Sequence, residues 1–419
     1  MVNEHTNRIA VGIYSLTLAL LPCGLTLSTA TQLRPTDFPL GPGEMILIVW
    51  MIACWLIFAS KSSISVEKHG RPFVIFWTVS ILIILIRVAL PYYEWDTSTG
   101  SLHDFMALLF VYSIIITFSL IKIDNRNLRL LFRRIAFINI ISFGILFIVS
   151  IFIDTFSTIE FWHGPRFTAW ATNPNQIALA LTILPFIAIE LRDKSKKFRQ
   201  NVFFLALCIV PVIVGLFVLS DALIVAWVAG FGTLMFFSCF YQYFYKKQIG
   251  IARASFVYLG IPILILIMSY ILGSFIFSLI EEKASYIYYA GKNQGELRMT
   301  LWANGIEALL SSPILGNGPG AHSGLTGPFQ GFEVHNSFID WGASTGIVGL
   351  VAYIWLGILI FYKVVKARNP LLISALITIL SFTFFHYTFR QPLFWLYLLI
   401  IYGLCQADTQ YCSESRKNK

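Results

Sequence analysis

Charge is scarce in this sequence. Asp, Glu, Lys and Arg together make up 12% of the 419 residues, about half the share a soluble domain carries. That excludes an ordinary cytosolic enzyme and a disordered chain. Cysteine is sparse as well. Six are present, at 23, 54, 208, 239, 405 and 412, with no CxxC and no Cys/His cluster, which argues against a disulfide framework and against a zinc site. A Walker loop, HExxH and an aspartate pair of the DxD kind are all missing. Nucleotide hydrolysis, zinc proteolysis and metal-held nucleotide sugars therefore lack their usual signatures. No repeat of the solenoid kind and no low-complexity tract is visible.

Apolar surface is what the sequence has in abundance. Hydrophobic residues reach 57%, mean hydropathy is +0.74 and aromatics reach 16%, a composition suited to spans with rings anchored at bilayer interfaces. A span needs roughly 20 apolar residues, and twelve stretches qualify: roughly 9–30, 43–60, 72–92, 103–121, 135–153, 176–191, 201–219, 222–244, 254–280, 338–362, 370–386 and 392–406. The first is long and lacks a small-residue cleavage site before a polar domain, so it reads as a span and not as a cleaved signal. The expected fold is all-α, a polytopic integral membrane protein forming a single membrane domain over 1–419.

The net charge of +9 finds its explanation in topology. With the N-terminus inside, Lys and Arg concentrate in the loops 61–71, 122–134, 192–200, 245–253, 363–369 and the tail. The opposite loops hold only Arg34, Arg166, Lys283, Lys292, Arg298 and Arg390. This is the bias of cytoplasmic loops. Both termini are expected in the cytoplasm, and no nucleic-acid partner is indicated.

One outer loop stands apart. Residues 281–337 form a stretch of a length that is usually functional. Asn293 with Glu296 resembles a capping box. Met299, Trp302, Ile306 and Leu309 then recur at helical spacing up to Pro313, predicting an amphipathic helix over 294–311 against the outer membrane face. The turn-rich run Gly316-Asn317-Gly318-Pro319-Gly320 follows, and Glu333-Val334-His335-Asn336 enters the next span.

Polar residues with chemical use gather on this outer side. Arg87 lies about five residues inside the outer end of span three, where a charge costs several kcal/mol unless paired, hydrated or bound to an anion; snorkelling to the interface is the alternative. Arg298 falls in the first turn of the loop helix, where free N–H groups and a guanidinium fork can share an anion, or where it can simply pair with Glu296 or Glu282. His335 and Asn336 begin a helix carrying Gly342, Gly346 and Gly349, small residues that permit close approach of helix or ligand. Before span six, Arg166, Trp170, Asn173 and Asn175 crowd one loop. Asn173-Pro174 explains a turn and a helix start, while the polar and aromatic content also suits a sugar. Asp221 reads as a cap at the start of span eight and as a possible partner for an arginine. His386 and Arg390 lie at the outer end of the last pair of spans.

Together these residues resemble a family. His335-Asn336, nine residues, then Gly346-Ile347-Val348-Gly349 is similar to the His-Asn/Ser-x9-Gly-x-x-Gly signature of bacterial O-antigen ligases and their sister polysaccharide polymerases. The stretch from Arg298 through Ser312-Pro313-Ile314-Leu315-Gly316 to Gly320 resembles that family's long periplasmic loop, and Arg166 with Asn173-Pro174-Asn175 its earlier loop. The likeness covers about 160–350. It implies an inner-membrane glycosyltransferase without metal or cofactor, working at the periplasmic face. The donor would be a glycan on undecaprenyl diphosphate and the acceptor a hydroxyl of lipid A–core or of another glycan. Carried over, His335 takes the base or orienting role and Arg298 binds the diphosphate. The sequence departs from the family at Leu219-Ser220-Asp221-Ala222, where many relatives carry an arginine; Arg166, Arg87 or Arg390 would have to supply it. Single displacement at C1 implies inversion. One dominant outer loop favours a ligase over a polymerase. A flippase, the rival from another class, would want ionisable groups or broken helices near the midplane.

Overall fold

The computed structural model describes residues 2–35, 40–59, 64–89, 99–190, 198–241, 296–322 and 331–417. The predicted span 254–280, Asn293, Lys283 and Lys292 lie outside these described residues. Helices dominate: α1 Val2–Leu27, α2 Pro42–Ala59, α3 Arg71–Ala89, α4 Thr99–Ser119, α5 Asn125–Phe152, α6 Pro174–Leu181, α7 Leu184–Glu190, α8 Phe198–Val218, α9 Asp221–Tyr241, α10 at 296–311, α11 Ser337–Ala367, α12 Pro370–Thr383 and α13 Pro392–Lys417. Between α5 and α6 the chain makes two small antiparallel hairpins, β1 Thr155–Phe156 with β2 Ile159–Glu160 and β3 Trp162–His163 with β4 Arg166–Phe167.

Six helical stretches among the described residues are long and apolar enough to cross a membrane: Pro42–Ala59, Arg71–Ala89, Ser101–Ser119, Asn125–Phe152, Asp221–Tyr241 and Ser337–Ala367. Their exposed faces are rich in Leu, Ile, Val and Phe, as lipid contact requires. Shorter apolar helices fill the interior. In α13, every residue from Leu393 to Cys405 is buried, the signature of a helix enclosed on all sides. It packs against α11, α5, α4 and α12. The predicted span 176–191 is split into α6 and α7 at Thr182-Ile183, where the Thr182 carbonyl accepts the Trp227 indole N–H at 3.0 Å.

Local chemistry sets the helix starts. Asp124, Asn173, Asn336 and Asn369 each accept first-turn N–H groups, the expected work of short polar side chains at that position. Asp221 differs from its expected capping role. It is the first residue inside α9, in the acid-favoured first turn, and Ser220 precedes it.

An aromatic cluster ties α3 to the first turns of α11 and α13. Trp341 stacks on Phe389 with centroids 4.1 Å apart, and Trp77 meets Trp395 edge-on at 4.9 Å. Phe389 belongs to the α12–α13 connection 384–391, so this buried cluster anchors that connection directly beside the start of α11.

Candidate functional site

The site is built where α11 begins. His335 has φ +59, a conformation uncommon outside glycine and costly for a side-chain-bearing residue. Asp340 imposes it. Its carboxylate, fully buried, accepts the Val334 N–H at 2.8 Å and the Asn336 N–H at 3.1 Å. The residue between those two amides is thereby held in a tight turn. Asn336 in turn accepts the Phe338 and Ile339 N–H groups with its side-chain oxygen.

A chain of ionisable groups extends from this turn. His322 Nδ1 lies 3.0 Å from Asp340, off the direction of an aligned hydrogen bond. Its Nε2 is 3.9 Å from Asp104. Asp104, fully buried in α4, also lies 3.2 Å from Arg390 Nε and accepts the Gly320 N–H at 3.1 Å. Arg390 reaches on to pair with Glu333, whose other oxygen is 3.9 Å from His335 Nδ1. The circuit Asp340–His322–Asp104–Arg390–Glu333–His335 ties His322 and the turn before α11 to α4 and to the α12–α13 connection. Its buried acids, Asp104 and Asp340, are tolerated because each faces a basic group and a backbone N–H.

On the other side of His335 the charges are positive. Arg298, half-buried in α10, acts on both His335 and His386, and Arg166 acts on His386. Burial holds the His335 imidazole below the usual histidine range; Asp340 pulls it up, and Arg298 and His322 push it further down. Arg166 is placed by the β3–β4 hairpin. It donates to the Val218 carbonyl at 3.2 Å and to Asn175 Oδ1 at 3.1 Å, while Ser220 Oγ also donates to Asn175 Oδ1 at 3.2 Å. Burial lowers the affinity of Arg166 for its proton, Asp221 restores part of it and Arg298 opposes. Two guanidiniums that repel each other, both set against a buried imidazole, form a natural seat for an anion.

Of the residues singled out from sequence, Arg166, Asn175, Asp221, Arg298, His335 and Arg390 meet in this region. Asn173 and Asn336 serve as helix caps at its edges. Arg87 occupies the last turn of α3, and the charges acting most strongly on His335, His386 and Arg166 do not include it. Asp104, His322, Glu333 and Asp340 were not anticipated. The rule that flagged Arg87 applies equally to Asp104 and Asp340, since both are acids at the ends of apolar spans. Among the described residues, no group of three or more His, Cys, Asp or Glu is arranged to hold a metal ion.

The glycines of α11 make the second half of the site. Gly346 has φ +65 and ψ −166, breaking the helix in two. The carbonyls freed before the break, Ala343 and Ser344, accept the N–H groups of Asn317 at 2.7 Å and Gly318 at 3.0 Å. The amides after it, Ile347 and Val348, donate to Pro313 and Ile314. Backbone groups at membrane depth are thus satisfied by an inserted strand of loop. A Cβ on Gly346 would lie 2.2 Å from the Ile314 carbonyl oxygen, and one on Gly316 would lie 2.4 Å from the backbone of Ser344 and Thr345.

Helix α10 packs on the protein through a row other than its apolar one. Met299 and Ile306 are exposed, Trp302 and Leu309 half-buried, and Leu301, Gly305 and Ala308 form the buried row. Gly305 is the closest contact, its missing Cβ falling 2.6 Å from Val334 and 2.7 Å from Ile339. That contact seats Arg298 and the His335 turn together.

Residues 222–354 match the family profile described as O-antigen ligase. That segment is similar to O-antigen ligases. The matched segment holds Arg298, His322, Glu333, His335, Asp340, Gly346 and Gly349. Arg166, Asn175, His386 and Arg390 meet the same site from outside it. Its apolar helices make it part of a multi-pass membrane protein. No curated protein matches the chain.

Proposed function

We propose that this protein transfers a glycan from an undecaprenyl-diphosphate donor to an acceptor hydroxyl at the periplasmic face of the inner membrane, and that the acceptor is lipid A–core. The bilayer holds about twelve spans in this reading, the termini are cytoplasmic, and 281–337 is the periplasmic loop. The observation that carries it is that Arg298 lies near enough for its charge to act on His335, His386 and Arg166, and Arg166 on His386.

The chemistry follows from that meeting. As the bond from C1 to the diphosphate oxygen breaks, negative charge grows on the leaving group. Guanidiniums fixed beforehand stabilise that charge more than they stabilise the ground state. Arg298 takes this part, and Arg166 fills the role left open by Asp221 in place of an arginine. The acceptor oxygen bonds to C1 from the opposite face and gives its proton to His335, whose Nδ1 is turned toward Glu333, leaving Nε2 for the acceptor. Burial keeps His335 neutral at pH 7, so the base form is ready. The anomeric centre inverts. Neither metal nor nucleotide takes part.

The test is reconstitution of the purified protein with a lipid-linked glycan and lipid A–core, without ATP or metal; formation of the glycan–core product is the expected result. Gels of lipopolysaccharide from a deletion strain separate the sister activity. Loss of a ligase leaves lipid-linked polymer, whereas single repeats capping the core would identify a polymerase.

A further inference from the structure

The α12–α13 connection lies outside the matched segment, yet it delivers His386 to the site. The backbone of His386 is pinned: its carbonyl accepts Ser337 Oγ at 2.6 Å, and Ser337 Oγ accepts the Thr388 N–H at 3.0 Å. Its ring packs at 4.7 Å on Phe382 and stands 5.9 Å from the His335 ring at 76°. The residue is 7% exposed. Its Nε2 has no hydrogen-bond partner among the described residues.

A buried imidazole nitrogen without a partner is uncommon and calls for an explanation in ligand, water or mechanism. Hydrophobic packing accounts for one face of the ring and leaves Nε2 unexplained. The surroundings narrow the answer. The charged and titratable groups acting on this ring are His335, Arg298 and Arg166, which together favour an anion. A neutral imidazole carries one N–H donor, so it adds a directed hydrogen bond without a third positive charge.

We infer that His386 is a ligand-binding residue whose neutral Nε2–H donates to a phosphate oxygen of the lipid diphosphate held by Arg298 and Arg166. The inference rests on the proposed glycosyl-transfer reading. Burial, joined by His335, Arg298 and Arg166, holds the imidazole well below the ordinary histidine range, so the donor stays neutral across physiological pH. His335 and His386 then divide the labour, one receiving the acceptor's proton and the other steadying the leaving group.

The experiment is binding of undecaprenyl diphosphate to the full-length protein in lipid nanodiscs, with undecaprenol as the anion-free control. His386→Phe keeps the packing on Phe382 and removes the donor. It should weaken undecaprenyl diphosphate binding about tenfold, the effect of one hydrogen bond to a charged group, and leave undecaprenol unchanged. His386→Gln places an amide N–H near Nε2 and should stay within about threefold of wild type, which is less than half of that hydrogen bond's contribution. Equal affinity of wild type and His386→Phe overturns the inference while leaving the transfer reading standing. Equal losses in the Phe and Gln variants at unchanged Tm overturn it too, because packing would then explain the effect. Failure of the wild type itself to bind undecaprenyl diphosphate overturns the transfer reading, and this inference with it.

Discussion

The carboxylate of Asp340 accepts the two backbone N–H groups that flank His335, and so fixes the conformation of the residue proposed as base. Asp340→Ala leaves both amides buried without an acceptor, at about 1–3 kcal/mol each. Lower Tm and a loss of transfer of about 10²-fold are expected, the latter at the lower end for a removed general base. Asp340→Asn keeps one acceptor oxygen and should lose less stability. Initial rates and melting curves on both variants check this; an unchanged rate in Asp340→Ala would detach His335 from its carboxylate clamp.

Gly346→Ala places a Cβ 2.2 Å from the Ile314 carbonyl oxygen at φ +65. With ψ −166 this backbone lies in a region essentially reserved for glycine, which costs a side-chain-bearing residue roughly 1–3 kcal/mol, and the contact is with backbone that cannot swing aside. Strong destabilisation and loss of activity are expected. Gly357→Ala in the same helix meets nothing within 4 Å and should be neutral to slightly stabilising. Similar melting temperatures for the two variants would contradict the broken-helix account.

The pH dependence follows from the direction of the His335 shift. A base is active when deprotonated, and burial moves the His335 proton affinity below its ordinary value near 6.5. Transfer should therefore hold through neutral pH and decline only below the range in which an ordinary histidine titrates. Arg298→Ala removes a neighbouring positive charge, so the residual activity should begin to decline at higher pH than in wild type. A limb that stayed in place or moved the other way would separate Arg298 from His335.

Arg298→Lys keeps charge and loses the planar fork. Donor binding should fall clearly, though less than in Arg298→Ala, which is expected to lose at least tenfold, the cost of one charge-assisted hydrogen bond. Arg166→Lys should lose the paired contacts to Val218 and Asn175 and weaken donor binding in the same sense. Titration with undecaprenyl diphosphate measures all three, and normal affinity throughout would move the anion site elsewhere.

Topology is open to direct chemistry. In a cysteine-free background, Gly331→Cys should react with an impermeant thiol reagent applied from the periplasmic side, and Ile64→Cys should not. The reverse pattern would turn the proposed site to the cytoplasm.

How much of this was legible in the sequence varies by kind of feature. Hydropathy locates α2, α3, α4, α5, α9 and α11 well, because a helix that meets lipid must be apolar over its own length whatever its neighbours are. Asn-Pro at 173–174 and His335-Asn336 announce helix starts for equally local reasons. The spacing of Met299, Trp302, Ile306 and Leu309 marks the apolar row of α10 but not the row that packs on the protein, Leu301–Gly305–Ala308, which is built for closeness and not for hydrophobicity. In a membrane protein lipid and core are alike apolar, so an apolar stripe does not say which of them it faces.

The sequence by itself determined that this is a helical membrane protein with its chemistry-bearing residues in a few loops, including Arg166, Arg298, His335 and Arg390. Only the tertiary structure decided which of them meet. Asp104 touches the Gly320 amide across 216 positions of chain, and Asp340 finds His322 through a turn that no periodicity marks. Gly346 is a break because residues 313–318 supply partners for its orphaned backbone. Such pairings depend on low dielectric and on exact neighbours, which are properties of the folded assembly and not of any single segment.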